Sequence, residues 1–292
     1  MKKLLIITSA VILFACNKKE VDPTGFSVSA DKLRIQANDT VNFSFTGNAW
    51  YITFFSGEPG KRFEYRDRIT ADGTPELSFT SYRQNGSQEN TLRVLVSTDF
   101  SGEYDSTSIY NASWTDITAD VVLSTGADNT ASGKIDLSQF VKNDHPAYIA
   151  FQYLGYNDDS DQRTWTIKNI ALNNVLPDNS SYPLLAIAES TAGFQQVNMK
   201  SSVKWTISTS QLQVKGGGAN SPEAEAWVIS KALVLNKVTP DVGVPLKNMT
   251  TRMSEYSYIY TTPGTYKATF LASNPSRYDK TEDVQELTIE VE

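Results

Sequence analysis

The chain has 292 residues, 40% of them hydrophobic, which is enough for one large core or two ordinary ones and too many for a disordered chain. Lysine and arginine number 26 against 33 aspartates and glutamates, a formal charge of −7, so no general electrostatic attraction to nucleic acid is expected. The single cysteine, Cys16, excludes a disulfide within the chain, and folding has to rest on burial.

Lys2-Lys3 precede an apolar run from Leu4 to Phe14 that ends in Leu13-Phe14-Ala15-Cys16. A basic start, a short apolar run and a small residue at the cleavage point read as a secretory signal peptide over residues 1–15. The run is too short for a permanent membrane span. Its end resembles a bacterial lipobox, which implies that Cys16 becomes the first residue of the mature chain and carries lipid, anchoring the protein to a membrane. Residues 16–25 are polar, with Pro23 and Gly25, and read as a tether. Glu20 and Asp22 resemble the acidic patch that sends some lipoproteins to the cell surface.

From Phe26 onward apolar residues recur with period two: Phe26, Val28, Ala30; Leu33, Ile35; Val41, Phe43, Phe45; Trp50, Ile52, Phe54. Short alternating runs broken by Asn, Asp, Gly and Ser clusters predict strands joined by tight turns, and no long amphipathic helix interrupts them. The predicted fold class is all-β. A Gly- and Pro-rich turn, Phe55 to Gly60, is expected to lead into a second aromatic strand at Phe63-Glu64-Tyr65-Arg66.

Asp39-Thr-Val-Asn-Phe43 followed by Ala49-Trp-Tyr-Ile-Thr-Phe-Phe55 resembles the opening strands of a polycystic-kidney-disease-type (PKD-like) immunoglobulin sandwich, although the usual Trp-x-Phe-Gly-Asp-Gly centre is missing. Tyr256–Tyr260, Thr262-Pro-Gly-Thr-Tyr266, Lys267–Asn274 and Glu286–Glu292 resemble the closing strands of the same sandwich. The resemblance implies one domain in two segments, 26–70 and 240–292.

Residues 71–239 are too long for a loop within a compact domain and carry strands of their own. These are predicted at Glu76–Thr80, Asn90–Ser97, Asp120–Leu123, Tyr148–Tyr153 and Thr164–Leu172. The ordered series Leu92–Phe100, Trp114–Ile117, Ser132–Leu137, Tyr148–Phe151 and Trp165–Ile170 resembles the choice-of-anchor or carbohydrate-binding-like jelly rolls of secreted bacterial proteins. Ala226–Leu235 resembles a strand that usually precedes that series, which implies a permuted, inserted jelly roll.

Little in the sequence suggests catalysis. His145 is the only histidine and no serine-nucleophile motif surrounds it, so a Ser-His-Asp enzyme is not expected. Asp99, Glu103, Asp105 and Asp116 fall near strand ends, but an acidic surface makes such pairs common; a carboxylate glycosidase is the third reading. Asp158, Asp159 and Asp161 form the best cluster for a hard cation and are the candidate ligands of a structural Ca²⁺, the alternative being a solvated loop.

Sugar rings lay apolar faces on Trp or Tyr while Asn, Asp and Arg take the hydroxyls. Trp165 and Trp227 alternate with Ile167 and Ile229 and are assigned to packing. Tyr156, Asn157, Gln162 and Arg163 on one expected loop, and Tyr82 and Arg83 on a second, are the candidate glycan contacts. The whole arrangement resembles accessory lipoproteins of Bacteroidota polysaccharide-utilisation systems. That resemblance implies a non-catalytic, surface-exposed outer-membrane protein that binds a polysaccharide or oligosaccharide beside a TonB-dependent importer and its partner lipoprotein. The alternative from another class is an adhesive or structural lipoprotein that binds a protein.

Overall fold

A computed structural model describes residues 21–142, 145–188, 193–277 and 279–292. Cys16, the signal segment, Glu20 and the first part of the tether lie outside the described residues. Twenty strands are present among the described residues. In chain order the first ten are β1 (Ser27–Ala30), β2 (Arg34–Ile35), β3 (Thr40–Thr46), β4 (Tyr51–Phe55), β5 (Thr74–Gln84), β6 (Leu92–Ser97), β7 (Thr115–Asp116), β8 (Thr130–Ala131), β9 (Ile135–Asp136) and β10 (Tyr148–Gly155). The remainder are β11 (Thr164–Val175), β12 (Ser181–Ala186), β13 (Gln195–Lys200), β14 (Trp205–Ile207), β15 (Gln211–Lys215), β16 (Ala224–Ile229), β17 (Val244–Lys247), β18 (Glu255–Ile259), β19 (Gly264–Pro275) and β20 (Lys280–Val291). One short helix, α1 (Ser106–Asn111), begins at Asp105, whose carboxylate accepts from the Ser108 N–H at 2.8 Å.

The described residues form two units, one of residues 21–67 together with Pro240–Glu292, the other Arg68–Thr239. In the first unit a three-stranded sheet, β1-β3-β18, and a five-stranded sheet, β17-β4-β19-β20-β2, enclose a core. Every pairing is antiparallel except β2 with β20. The alternation in β3 does what period two requires: Val41, Phe43 and Phe45 are buried while their neighbours are exposed. They meet Ile52 and Phe54 of β4 and Ala268, Phe270 and Ala272 of β19.

The second unit pairs a five-stranded sheet, β13-β16-β10-β6-β7, with a seven-stranded one made of the path β14-β15-β11-β5-β8 together with β12 on β11 and β9 on β5. Leu77 and Phe79 of β5, Val94 and Val96 of β6, Ile149 and Phe151 of β10 and Ile167 of β11 fill the space between. The chain enters and leaves this unit side by side, with Val238 N–H donating to Ile69 O at 3.0 Å and Ala71 N–H to Asn236 O at 2.9 Å. Both units are all-β and consistent with β-sandwiches.

Several expected elements differ. Phe63–Tyr65 is a single 3₁₀ turn rather than a strand, with Phe63 against Phe55 at a centroid distance of 5.3 Å. Asp120–Leu123 is not a strand either: Thr118–Asp120 is a 3₁₀ turn and the following residues run without a ladder partner. The apolar run after Trp227 divides, because β16 ends at Ile229 and Leu233 then returns to pair with Ala147. Tyr82 and Arg83 belong to β5, which continues to Gln84 before turning at Asn85 and Gly86, both with positive φ.

Candidate functional site

The candidate glycan contacts do come together, at one end of the second unit, but most of their polar atoms are already engaged. Arg163 donates from Nε to Gln88 O at 2.7 Å and from Nη1 to Asn85 O at 2.6 Å and to Gly86 O, and its Nη2 lies 3.3 Å from Glu89 Oε1. Arg83 reaches the other oxygen of Glu89 at 2.6 Å and Thr125 O at 3.2 Å. Gln162, 2% exposed, donates to Pro222 O and accepts from Gly217 N–H. These groups fasten three loops to one another: 85–91, 156–163 and 216–222. Tyr156 is 39% exposed, yet its hydroxyl donates to Asn90 O, and Asn157 makes a long bond to Asn220 O. Tyr82 lies on the outward side of β5, opposite Thr166, and its hydroxyl has no partner among the described residues.

The carboxylates of this end do not form a cation cage. Asp158 Oδ1 accepts from Gln88 Nε2 and from Ser160 N–H, and Asp161 Oδ1 accepts from Ala219 N–H. Asp159 points to solvent. Among the described residues no three His, Cys, Asp or Glu side chains gather in a way that could hold a metal ion. In this turn the short acidic side chains of Asp158 and Asp161, two of the candidate Ca²⁺ ligands, accept from backbone amides.

The other carboxylates act locally too. Burial pushes the Asp99 carboxyl up, but hydrogen bonds from Ser97 and Ser113 outweigh it and hold the group below its ordinary value. Asp116 accepts from Thr118 N–H beside Arg93. His145 is exposed. Trp165 and Trp227 are 3% and 5% exposed; Trp165 donates to Thr91 Oγ1, and Trp227 to Glu225 Oε1.

A different place offers unspent groups. In the first unit an open cleft of about 800 Å³ is lined by Asp22 and Pro23, by the β3–β4 turn Gly47–Trp50, and by Lys247 to Met253 between β17 and β18. Its apolar wall is Trp50, Met249 and Met253, with Met249 59% exposed. Lys247 is fully engaged, donating to Ala49 O at 2.6 Å and Trp50 O at 3.2 Å. The Trp50 indole N–H, the Arg252 guanidinium, the Asn48 amide and the Asp22 carboxylate have no partner among the described residues. An aromatic wall beside a few free polar groups, in a cavity of this size, is the makeup of a small-ligand site.

Period two missed this cleft for a specific reason. Trp50 shares parity with the core residues Ile52 and Phe54, so alternation assigns it inward; in fact it precedes β4 and stays half-buried. Arg252 and Met249 lie in a polar loop whose proximity to Trp50 is set by the pairing of β17 with β4.

Residues 15–194 match the family model described as a domain of unknown function, DUF5017, which is well over half of the chain. The chain belongs to the DUF5017 family. The match runs through the first segment of the first unit and most of the second, ending just before β13. No curated protein and no solved structure matches the chain. Among the described residues of this DUF5017 protein, no helix is long and apolar enough to cross a membrane.

Proposed function

We propose that this DUF5017 protein is a non-catalytic glycan-binding lipoprotein of the outer membrane, anchored through Cys16 and exposed at the cell surface, where it captures polysaccharide for a TonB-dependent importer. In the same reading the first unit is a PKD-like immunoglobulin sandwich interrupted by a jelly roll. The observation that carries the binding function is the Trp50 cleft. An indole and two methionines give an apolar surface for the C–H face of a sugar, and Asn48, Asp22 and Arg252 give unspent donors and acceptors for its hydroxyls. The non-catalytic reading is supported by the local employment of Asp99, Asp105 and Asp116 in turns and caps.

This reading moves the contact from the second unit, where Arg83, Gln162 and Arg163 are occupied by the fold. Tyr82 alone among those candidates keeps a free hydroxyl on an outward sheet face.

Affinity electrophoresis of the mature chain through gels containing single polysaccharides tests it. Retardation by at least one polysaccharide is expected, and it should vanish in Trp50→Ala while the thermal midpoint stays unchanged. Retention of the Trp50→Ala chain, or binding of a protein partner with no polysaccharide retarding the wild type, would overturn the reading in favour of another site or of adhesion. Release of reducing sugar from a bound polysaccharide would overturn the non-catalytic part.

A further inference from the structure

The charge of the Trp50 cleft runs against that of the chain. The protein carries −7, and many of its described cations have a carboxylate beside them: Arg34 with Glu290, Arg83 and Arg163 with Glu89, Lys134 with Glu76, Lys168 with Asp128, Lys200 with Glu223 and Lys267 with Glu286. The cleft is built differently. Lys247 sits in its wall bonded only to backbone carbonyls of Ala49, Trp50 and Asn248, so no carboxylate offsets its charge. Arg252 has neither an ion pair nor a hydrogen bond among the described residues. Against these two cations the lining holds one acidic group, Asp22, exposed on the segment leading into β1.

We infer that the cleft selects a saccharide carrying an anionic substituent, with the sugar ring on Trp50 and the anion on Arg252. This rests on the glycan reading above and names the ligand class for the same site. A guanidinium presents a planar fork of N–H donors that pairs with a carboxylate or sulfate through two parallel hydrogen bonds. Lys247, held in place by its carbonyls, adds a fixed positive field without competing for the ligand's oxygens. Asp22 works against the anion, and its carboxylate keeps the cleft from being a general anion trap; a ligand has to supply apolar ring contact with Trp50 as well as charge. In an open cleft the ionic part is screened by salt, so affinity falls as ionic strength rises.

The test is titration calorimetry of the full chain against three oligosaccharides of similar length: a polygalacturonate fragment carrying carboxylates, a heparin fragment carrying sulfates, and a neutral dextran fragment. Binding of either anionic probe is expected to exceed dextran, and which of the two binds identifies the anion. Arg252→Ala should raise the Kd of the preferred anionic probe about tenfold, the loss of one charge-assisted contact, and weaken any residual dextran binding by a smaller factor, since a neutral sugar offers the guanidinium only hydroxyls. Asp22→Asn should tighten the anionic probe. Both positions are exposed in loops, and an unchanged near-ultraviolet dichroism spectrum confirms folding. If dextran binds through Trp50 and the anionic probes do not, the anion inference fails while the glycan reading stands. If Arg252→Ala leaves the anionic Kd unchanged, the inference also fails. If Trp50→Ala leaves all binding intact, both fail.

Discussion

The hydroxyl of Tyr260 donates to the carbonyl of Ser56 at 3.0 Å, a bond inside the first core between positions 204 residues apart. Tyr260 is fully buried and stacked on Tyr266 at a centroid distance of 4.9 Å. The two residues come from the segments that flank the whole second unit, so the bond exists only once both segments share one fold.

Burial pushes the Tyr260 phenol far above its ordinary pKa, with the charges of Glu58 and the neighbouring tyrosines adding to it. A raised folded-state pKa makes its contribution to stability complete below the unfolded value, about 10, and progressively lost as pH rises above it. Tyr260→Phe should therefore lower stability by about 1 kcal/mol at neutral pH, the net value of one buried hydrogen bond, and flatten the loss between pH 9 and 11. Urea midpoints across that range read both effects. An unchanged alkaline slope would assign the loss to other groups.

Phe270 lies within 5.3 Å, centroid to centroid, of Phe43, Phe45 and Phe54, three rings contributed by β3 and β4. Phe270→Ala empties the space where the two sheets meet and should cost about 3–5 kcal/mol. Hydrogen exchange is the sharper readout: amides of Val41, Phe43 and Phe45 should lose protection, although they are more than 200 residues away in sequence. Protection confined to a loss within β19 and β20 would mean that the two segments fold separately.

Alternation made β3, β4, β11 and β19 legible, because each has one face in a core and the apolar residues mark it; β6 and β10 are buried on both faces and read instead as short apolar runs. The strands that escaped notice obey the same physics with less apolar surface. In β13 only Val197 is buried, and β14 keeps only Trp205 inside, since both are sheet-edge strands. Thr74–Gln84 was legible only in part: on the inward side Phe79 is followed by Ser81 and then by Arg83, so the apolar signal ends five residues before the strand does. The candidate site was less legible still. Aromatic and polar residues in a loop look alike whether their polar atoms face a ligand or a neighbouring loop, and only the partners of Gln162 and Arg163 distinguish the two.

Arg163 separates those alternatives by experiment. Its side chain is 12% exposed and its donors serve the carbonyls of Asn85, Gly86 and Gln88. Arg163→Ala leaves these acceptors without the guanidinium and should cost about 2–3 kcal/mol, visible as a lower thermal midpoint. Polysaccharide retardation at a temperature where the variant remains folded should not change. A variant of wild-type stability that bound less glycan would make Arg163 a ligand contact after all.

Gly86 shows how tightly the same loops are fitted. Its φ is +50°, a conformation that costs an L side chain, and a Cβ there would lie 1.7 Å from the Asp161 carbonyl oxygen, a backbone atom that cannot swing aside. Ser87 beside it bonds Ser160 through both its N–H and its hydroxyl, so moving the 85–91 loop away from Asp161 breaks those contacts as well. Gly86→Ala should therefore destabilise the second unit by more than 2 kcal/mol, combining the strained backbone with a displaced loop. The disturbance should spread to Gln88 and Tyr156, whose mutual hydrogen bonds at 2.7 and 3.0 Å cross between the two loops. Faster exchange at the Tyr156 amide is the specific sign. A Gly86→Ala protein with a wild-type midpoint and a protected Tyr156 amide would show that the loops yield to each other, and the fit inferred from their bonds would be wrong.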